Sequence, residues 1–559
     1  MIYQNCPVLL IYLLSLWSCM GCNDKKRSVE NKISIPVVSV SNSIEEDIRY
    51  ILAKQTSLPF SKALIHFYTS TNFSPVWVND QRKNTLANSL QQYLDTSYRD
   101  GLFKSDYHFY RIDSLLKMVE KDSVKSKDNR LWAEADILYT TAYMHILQDL
   151  RQGRLHPQSM ALENDTASYP NFFDPFLKKA ILDEQVQQVI LSVQNTHPNY
   201  LKLKEGIRKF SDSMDKKMYT YLSFPFKKGS IADSISFIKH LQLRLSESGV
   251  ADKKNELPDS SMLVHAIKKY QLLKKLAPDG MVSATLIKAL NNSDLEKFKR
   301  IAITLDRFKQ LPATMPANYI WVNLPAYKLE VWQNDSIIME SKIICGKAAT
   351  PTPFLTSAIS DLVIFPTWTV PQSIITKEIL PGLKKSTGYL AKKGLNLINN
   401  KGEEIDPATV IWSKYSKGIP YKIQQGSGDN NALGVIKFNF TNPYSVYLHD
   451  TNQRYLFKNG TRALSHGCVR VQEWEKLAYF IIRNDSMRMN ITDSIKYNVD
   501  TIKTWIKNKE RHRINVKFPF PLFIRYFGCE GKKGAIKFYD DIYGEDKIMR
   551  ERFFSQKSF

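Results

Sequence analysis

Two short segments concentrate the side chains able to do covalent chemistry. One is Tyr447-Leu448-His449-Asp450-Thr451; the other is Arg462-Ala463-Leu464-Ser465-His466-Gly467-Cys468-Val469-Arg470. A thiol at its ordinary pKa of about 8.5 is mostly protonated at neutral pH, and the thiolate is the nucleophile. An imidazole within reach can take the proton. Cys468 has two candidates for that role. His466 lies two residues before it and would share its face in a strand, but the intervening glycine leaves its aim to the turn. His449 ends a predicted strand and reaches Cys468 only if sheet pairing joins the two segments. Gly467 lets the backbone turn sharply, so that adjacent N–H groups can point at a developing oxyanion. His449, Asp450, His466 and Cys468 are also zinc-ligand types, yet no His-x3-His or Cys-x2-Cys spacing accompanies them. Asp450 reads as a turn residue whose carbonyl could orient His449. Arg470 suits a substrate carboxylate or a structural ion pair.

Strands must carry these segments. Ile320–Val331 and Ser336–Ile344 alternate apolar and polar residues around the turn Asn334-Asp335. Val435–Phe440 and Ser445–His449 form a predicted hairpin around Asn442-Pro443. Between the two sets, residues 373–422 are rich in Lys, Gly and Pro, and an insertion of this kind in a β domain is often an active-site lid. Cys345 ends a strand and reads as an inert buried thiol.

Before the strands the chain is helical. Over 44–226 the pattern is a helical scaffold; in Leu131–Leu150 apolar residues recur every three or four positions, and Gly153 follows as a stop. His145 in that helix reads as a packing or surface residue. Residues 229–292 hold two helical patterns around the turn Asp279-Gly280. A connecting helix (295–316) leads to a mainly-β domain over 318–500, and 501–559 reads as an extension packed on that domain. The fold class expected is multidomain α+β.

Composition narrows the setting. A chain of 559 residues exceeds one core, and 43% hydrophobic residues exclude disorder. The net charge of +23 is spread along the chain without a basic run or recognition motif, which argues against nucleic acid and suits an anionic envelope. Pro7–Trp17 is nearly all apolar, but a helix of that length rises only about 16 Å, against roughly 30 Å of hydrocarbon. Residues 1–22 therefore read as a secretory signal, and Leu16-Trp17-Ser18-Cys19 is similar to a lipoprotein processing site. Cys19 and Cys22 are the lipidation candidates, and 23–43 would be a polar tether. An uncleaved signal anchor is the alternative. Beyond the signal only Cys345, Cys468 and Cys529 remain, too few for a disulfide framework.

Ser465-His466-Gly467-Cys468-Val469-Arg470, with His449 upstream, resembles the signature of the YkuD-type L,D-transpeptidase family. Asn430-Asn431-Ala432-Leu433-Gly434, Lys437-Phe438, Pro519-Phe520-Pro521 and Asp540-Asp541-Ile542-Tyr543-Gly544 resemble its long multidomain branch. Gln425-Gly426-Ser427-Gly428 and Phe365-Pro366-Thr367-Trp368 depart from that branch. Tyr270-Gln271, Asp279-Gly280 and Thr285 resemble a three-helix peptidoglycan-binding domain. The resemblance implies Cys468 as nucleophile and His449 as general base. Ser465, His466, Gly467 and Arg470 would support them, and main-chain N–H groups near Gly467 and Cys468 would form the oxyanion hole. It implies a stem tetrapeptide donor, a diaminopimelate amine acceptor, 3→3 cross-links, susceptibility to carbapenem-type inhibitors, and neither cofactor nor metal. The protein would be exported to the cell envelope or periplasm, touching the membrane only through its lipid or anchor. The same site could instead serve an L,D-carboxypeptidase or endopeptidase. A non-catalytic wall-binding lipoprotein is the remaining alternative.

Overall fold

The computed structural model describes residues 43–54, 58–155, 169–223, 231–252, 259–312, 314–489 and 497–557; the expected signal, Cys19, Cys22 and nearly all of the tether lie outside them. The helix expected over Leu131–Leu150 spans Asn129–Gln152 (α1), capped by Asp128 and stopped at Gly153. Its spacing predicts one apolar stripe, yet every residue from Trp132 to Met144 is buried. Neighbouring helices surround it, and most of its polar positions tolerate this because they are bonded, the Tyr143 hydroxyl being the exception among the described residues. Asp136 accepts the Tyr68 hydroxyl at 2.5 Å and the Val76 and Trp77 main-chain N–H groups at 2.9 and 2.6 Å. Thr140 accepts the Trp77 indole N–H at 2.8 Å. His145 packs its ring against Phe60 and Tyr107.

After Pro198–Ser213 (α2) come Ile231–Glu247 (α3), Ser260–Leu273 (α4) and Ala284–Leu290 (α5), gathered on a small core of Leu241, Leu245, Ile267, Tyr270, Leu286 and Leu290. Gln271 accepts the Gly280 N–H at 2.9 Å and donates to Asp279 at 2.7 Å, so the Tyr-Gln pair and the Asp-Gly turn meet in space.

The expected connecting helix is Asp294–Lys309 (α6), and it is a hub rather than a link. Its buried Asp306 holds Lys309 at 2.7 Å and Arg154 at 3.0 Å. Its apolar side shares one core with α2 and with Trp321, Trp332 and Phe523 of the β domain. His197, capping α2, stacks on Trp321 and lies 3.0 Å from the Tyr319 hydroxyl.

The β domain contains Asn318–Asn323 (β1), Lys328–Gln333 (β2), Ser336–Gly346 (β3), Leu355–Ile364 (β4), Ile436–Phe440 (β5), Leu448–His449 (β6), Ala463–Ser465 (β7), Val469–Val471 (β8) and His512–Arg525 (β9). They form a nine-stranded sheet in the order β7-β3-β8-β6-β5-β4-β9-β1-β2, and a further β2–β3 pairing rolls it closed. The run Ile320–Val331 is thus two strands, broken where Tyr327 takes a positive φ. The expected boundary at residue 500 needs correction. β9 lies inside the sheet, antiparallel to β4 and parallel to β1, and sends Ile514, Phe520, Leu522 and Ile524 into the core. A register shift between Asn515 and Phe520 admits Pro519, which the ladder would otherwise exclude. Later in the expected extension, the hairpin Cys529–Lys532/Ala535–Phe538 packs on α2 and the helix Glu545–Phe553 on α6: Asp546 takes Arg300 at 3.3 Å and Arg307 at 2.5 Å, and Glu296 takes Arg550 at 2.8 Å.

Between β4 and β5 the expected lid (373–422) falls inside a folded insertion. Trp368–Thr369, Lys422–Gln425, Asn396–Ile398 and Glu404–Ile405 form a four-stranded sheet over a core of Ile375, Leu380, Leu397, Trp412 and Ile423. Its roots, Ile364 and Ile436, are paired across β4 and β5.

Candidate active site

Strand register decides which side chains meet. β6 lies between β5, where Lys437 is the partner of His449, and β8, where Arg470 is the partner of His449 on its other side. Successive residues of a strand point to opposite faces. Leu448 and Val469 are paired and enter the core, so Tyr447, His449, Cys468 and Arg470 share the outer face with Lys437. The Val469 N–H donates to the Tyr447 carbonyl at 3.1 Å, which sets Tyr447 across from Cys468. His449 and Cys468 thus share one face through a parallel pairing of distant segments.

The turn before Cys468 is held from both sides. Ser465 Oγ donates to the Cys468 carbonyl at 2.6 Å and accepts the Gly467 N–H at 3.1 Å. Thr352 Oγ1 donates to the Gly467 carbonyl at 2.7 Å. Gly467 has φ 122°, a conformation that side-chain-bearing residues rarely adopt. Its N–H is engaged inside the turn by Ser465 Oγ. The main-chain N–H and hydroxyl of Tyr447 instead bear on the Cys468 sulfur.

Burial sets the electrostatics. It pushes the Cys468 thiol up, against the opposing pull of Tyr447, Lys437 and Arg470. It pushes His449 down to about 3, with Arg470 adding to the effect. The pair is therefore a neutral thiol and a neutral imidazole at pH 7, not a preformed thiolate–imidazolium. His449 is only 5% exposed, and its Nδ1 has no hydrogen-bond partner among the described residues, which leaves that nitrogen able to accept a proton. The main-chain carbonyls of Asp450 and Leu433 favour the protonated ring. The Asp450 carboxylate is otherwise employed: it accepts the Val435 N–H at 2.9 Å and Arg454 at 2.7 Å. Gly434 is required beside it, since a Cβ there would lie 2.3 Å from Asp450 Oδ2.

His466 turns away from the nucleophile. Its Nε2 lies 2.5 Å from Glu378 Oε1, on the π-helical turn Ile375–Ile379 of the insertion. It ties the Cys468 turn to the insertion and does not join His449 and Cys468 in a metal-like cluster. Among the described residues no three His, Cys, Asp or Glu side chains are grouped to hold a metal ion, and no helix is long and apolar enough to cross a membrane. Arg470 donates to Gln453 at 3.1 Å, with its Nε unpartnered. Cys345 and Cys529 are buried, their thiols pushed up to about 11 and about 12. Sequence reading missed Tyr447, Lys437 and Glu378 as parts of the site. Tyr447 was findable, because it lies two residues before His449 in a strand and so shares its face. Glu378 was not, since its approach depends on the fold of the insertion.

Residues 317–489 match the family model for the YkuD L,D-transpeptidase catalytic domain, and residues 62–207 match that for a scaffold domain. A curated Haemophilus influenzae protein that carries the name L,D-transpeptidase provisionally is 32% identical over 249 residues, 44% of this chain and 48% of its own length. The chain thus spans about half the length of that relative. A crystal structure of an L,D-transpeptidase from Stackebrandtia nassauensis matches at 13% identity and a TM-score of 0.16, covering 57% of this chain and 100% of that one; a superposition that slight says nothing of the fold. By sequence, residues 317–489 of this chain are similar to the YkuD L,D-transpeptidase catalytic domain and follow a region similar to a scaffold domain.

Proposed function

We propose that the chain is an exported peptidoglycan L,D-transpeptidase with Cys468 as nucleophile and His449 as general base. The reading is supported above all by the shared outer face of β6 and β8, where a thiol and a neutral imidazole with an open Nδ1 lie on paired strands. As Cys468 Sγ attacks the carbonyl of the third residue of a stem tetrapeptide, its proton passes to His449. The tetrahedral oxyanion faces the Tyr447 main-chain N–H. Collapse expels the terminal D-alanine, whose amine takes the proton from His449, and leaves a thioester on Cys468. The side-chain amine of a neighbouring diaminopimelate attacks that thioester, gives its proton to His449, and departs as a 3→3 cross-link; the thiol is then reprotonated. The thioester conserves the energy of the amide bond, so no nucleotide is needed. The three-helix unit α3–α5 would hold the wall, and a lipid on Cys19 would tether the protein to the membrane.

Purified sacculi incubated with the enzyme should yield 3→3-linked dimers and free D-alanine by mass spectrometry. Tripeptides without new dimers would make it a hydrolase, and unchanged muropeptides would refute the reading. Lipid labelling should vanish in Cys19→Ala and persist in Cys22→Ala; an intact N-terminus on membrane-bound protein would instead establish a signal anchor.

A further inference from the structure

The chemistry above gives Lys437 no task, yet its position is specific. It stands directly across from His449, which stands directly across from Arg470. Neighbouring strands lie about 4.8 Å apart, so two cations bracket the imidazole in one transverse row about 10 Å wide. The Lys437 ammonium lies 4.1 Å from the centre of the Tyr447 ring, on the same side as Cys468. Its electrostatic neighbours are the thiol, Asp361 and Arg513. Asp361 is already engaged, holding Arg513 at 3.1 Å and Asn439 at 2.7 Å. Arg470 feels no carboxylate, and its buried Nε has no hydrogen-bond partner among the described residues. Arg470 is thus a half-buried cation without an acidic partner, and Lys437 shares its one carboxylate neighbour with Arg513; such an arrangement is unfavourable unless something completes it. Both stand on the face that carries Cys468 and have it as an electrostatic neighbour, so the completing group is an anion that arrives with the substrate.

We propose that Lys437, with Arg470, binds the C-terminal carboxylate of the donor peptide and so selects free-acid donors over amidated ones. The inference rests on the transpeptidase reading and adds the group by which the donor is recognised. Two planar oxygens suit the arrangement: an ammonium offers a point charge, and the guanidinium Nε–H offers a directed donor.

The test uses the full-length protein and two synthetic tetrapeptides that differ only in a C-terminal carboxylate or carboxamide. Acyl-enzyme on Cys468 is followed by intact mass and the released amino acid is quantified. The wild type should favour the acid by about tenfold or more in kcat/KM, the scale of a charge-assisted hydrogen bond. Lys437→Gln should bring the acid-to-amide ratio close to one, mainly through KM, and Lys437→Arg should restore much of it. Thermal unfolding of each variant guards against misfolding. An unchanged ratio in a folded Lys437→Gln overturns the proposal, as does an equal fall in kcat for both peptides, which would place Lys437 at the thiol. Acylation by both peptides with the ratio unmoved removes this inference alone. No acylation of the wild type by either peptide removes the transpeptidase reading as well.

Discussion

Asp136 and His449 are both ionisable groups shut away from water, in regions that treat them differently. In the helical scaffold, Asp136 is filled on both oxygens by Tyr68, Val76 and Trp77. Burial still raises its carboxyl to about 6, but nothing is left for a ligand. On the sheet face, His449 is driven down to about 3 and keeps Nδ1 unpartnered, with the orphaned Nε of Arg470 on the adjoining strand. A satisfied buried polar group fixes packing, whereas an unsatisfied one beside a nucleophile is held in readiness for a reaction partner.

The largest expected effect sharpens that contrast. Cys468→Ala should abolish covalent addition of a carbapenem by intact mass, while Cys345→Ala and Cys529→Ala leave it in place; an adduct on Cys468→Ala protein would end the assignment. His449→Ala should slow acylation by about two to four orders of magnitude with unfolding temperature little changed, the usual range for a general base. A loss below tenfold would mean that another group takes the proton. Asp136→Ala should do the reverse. It strands the Val76 and Trp77 main-chain N–H groups, while the Tyr68 hydroxyl keeps Thr140 at 2.7 Å, and should cost about 3 kcal/mol in denaturant unfolding while acylation per folded molecule stays near wild type.

Acidification should separate the two regions by sign. The folded-state pKa of Asp136, about 6, lies above the ordinary carboxyl value of 3.8, so its stabilising share is complete below 3.8 and fades as pH rises through 6. That of His449, about 3, lies below 6.5, so its share is complete above 6.5 and is lost as pH falls toward 3. Between these limits, hydrogen exchange corrected for its intrinsic pH dependence should slow in α1 and quicken in β6 as pH drops. Parallel trends would break the comparison. The smallest effect belongs to Glu378→Ala, which frees His466 from the insertion and should reduce acylation by less than about tenfold. A loss as deep as that of His449→Ala would put His466 in the proton path.

The chemistry was legible in the sequence to the extent that it was local. A Cys, two His and the Gly between them named the thiol and its candidate bases, and the strand ending at His449 was correctly placed. Which histidine shares the face of the thiol depends on β6 pairing with β8 in parallel and on the insertion drawing His466 to Glu378. Both are long-range contacts that carry no local signal. The buried faces of α1 were hidden for a related reason: the apolar spacing in Leu131–Leu150 marks only one stripe, and Asp136 and Thr140 are buried because Tyr68 and Trp77 arrive from elsewhere to bond them. β9 was missed because its prolines punctuate the strand pattern, and only the register shift accommodates them.

The place of β9 in the sheet also bears on timing. Leu522 must settle beside Ile320, and Phe520 beside Ile359, before the ring of strands can close. Contacts of such sequence separation form late and slowly. A chain threaded outward from its N-terminal end therefore delivers Tyr447, His449 and Cys468 well before the strand that completes their support. Until that strand arrives Cys468 belongs to an unfinished sheet, so its surroundings are complete only once the chain has been made past residue 525.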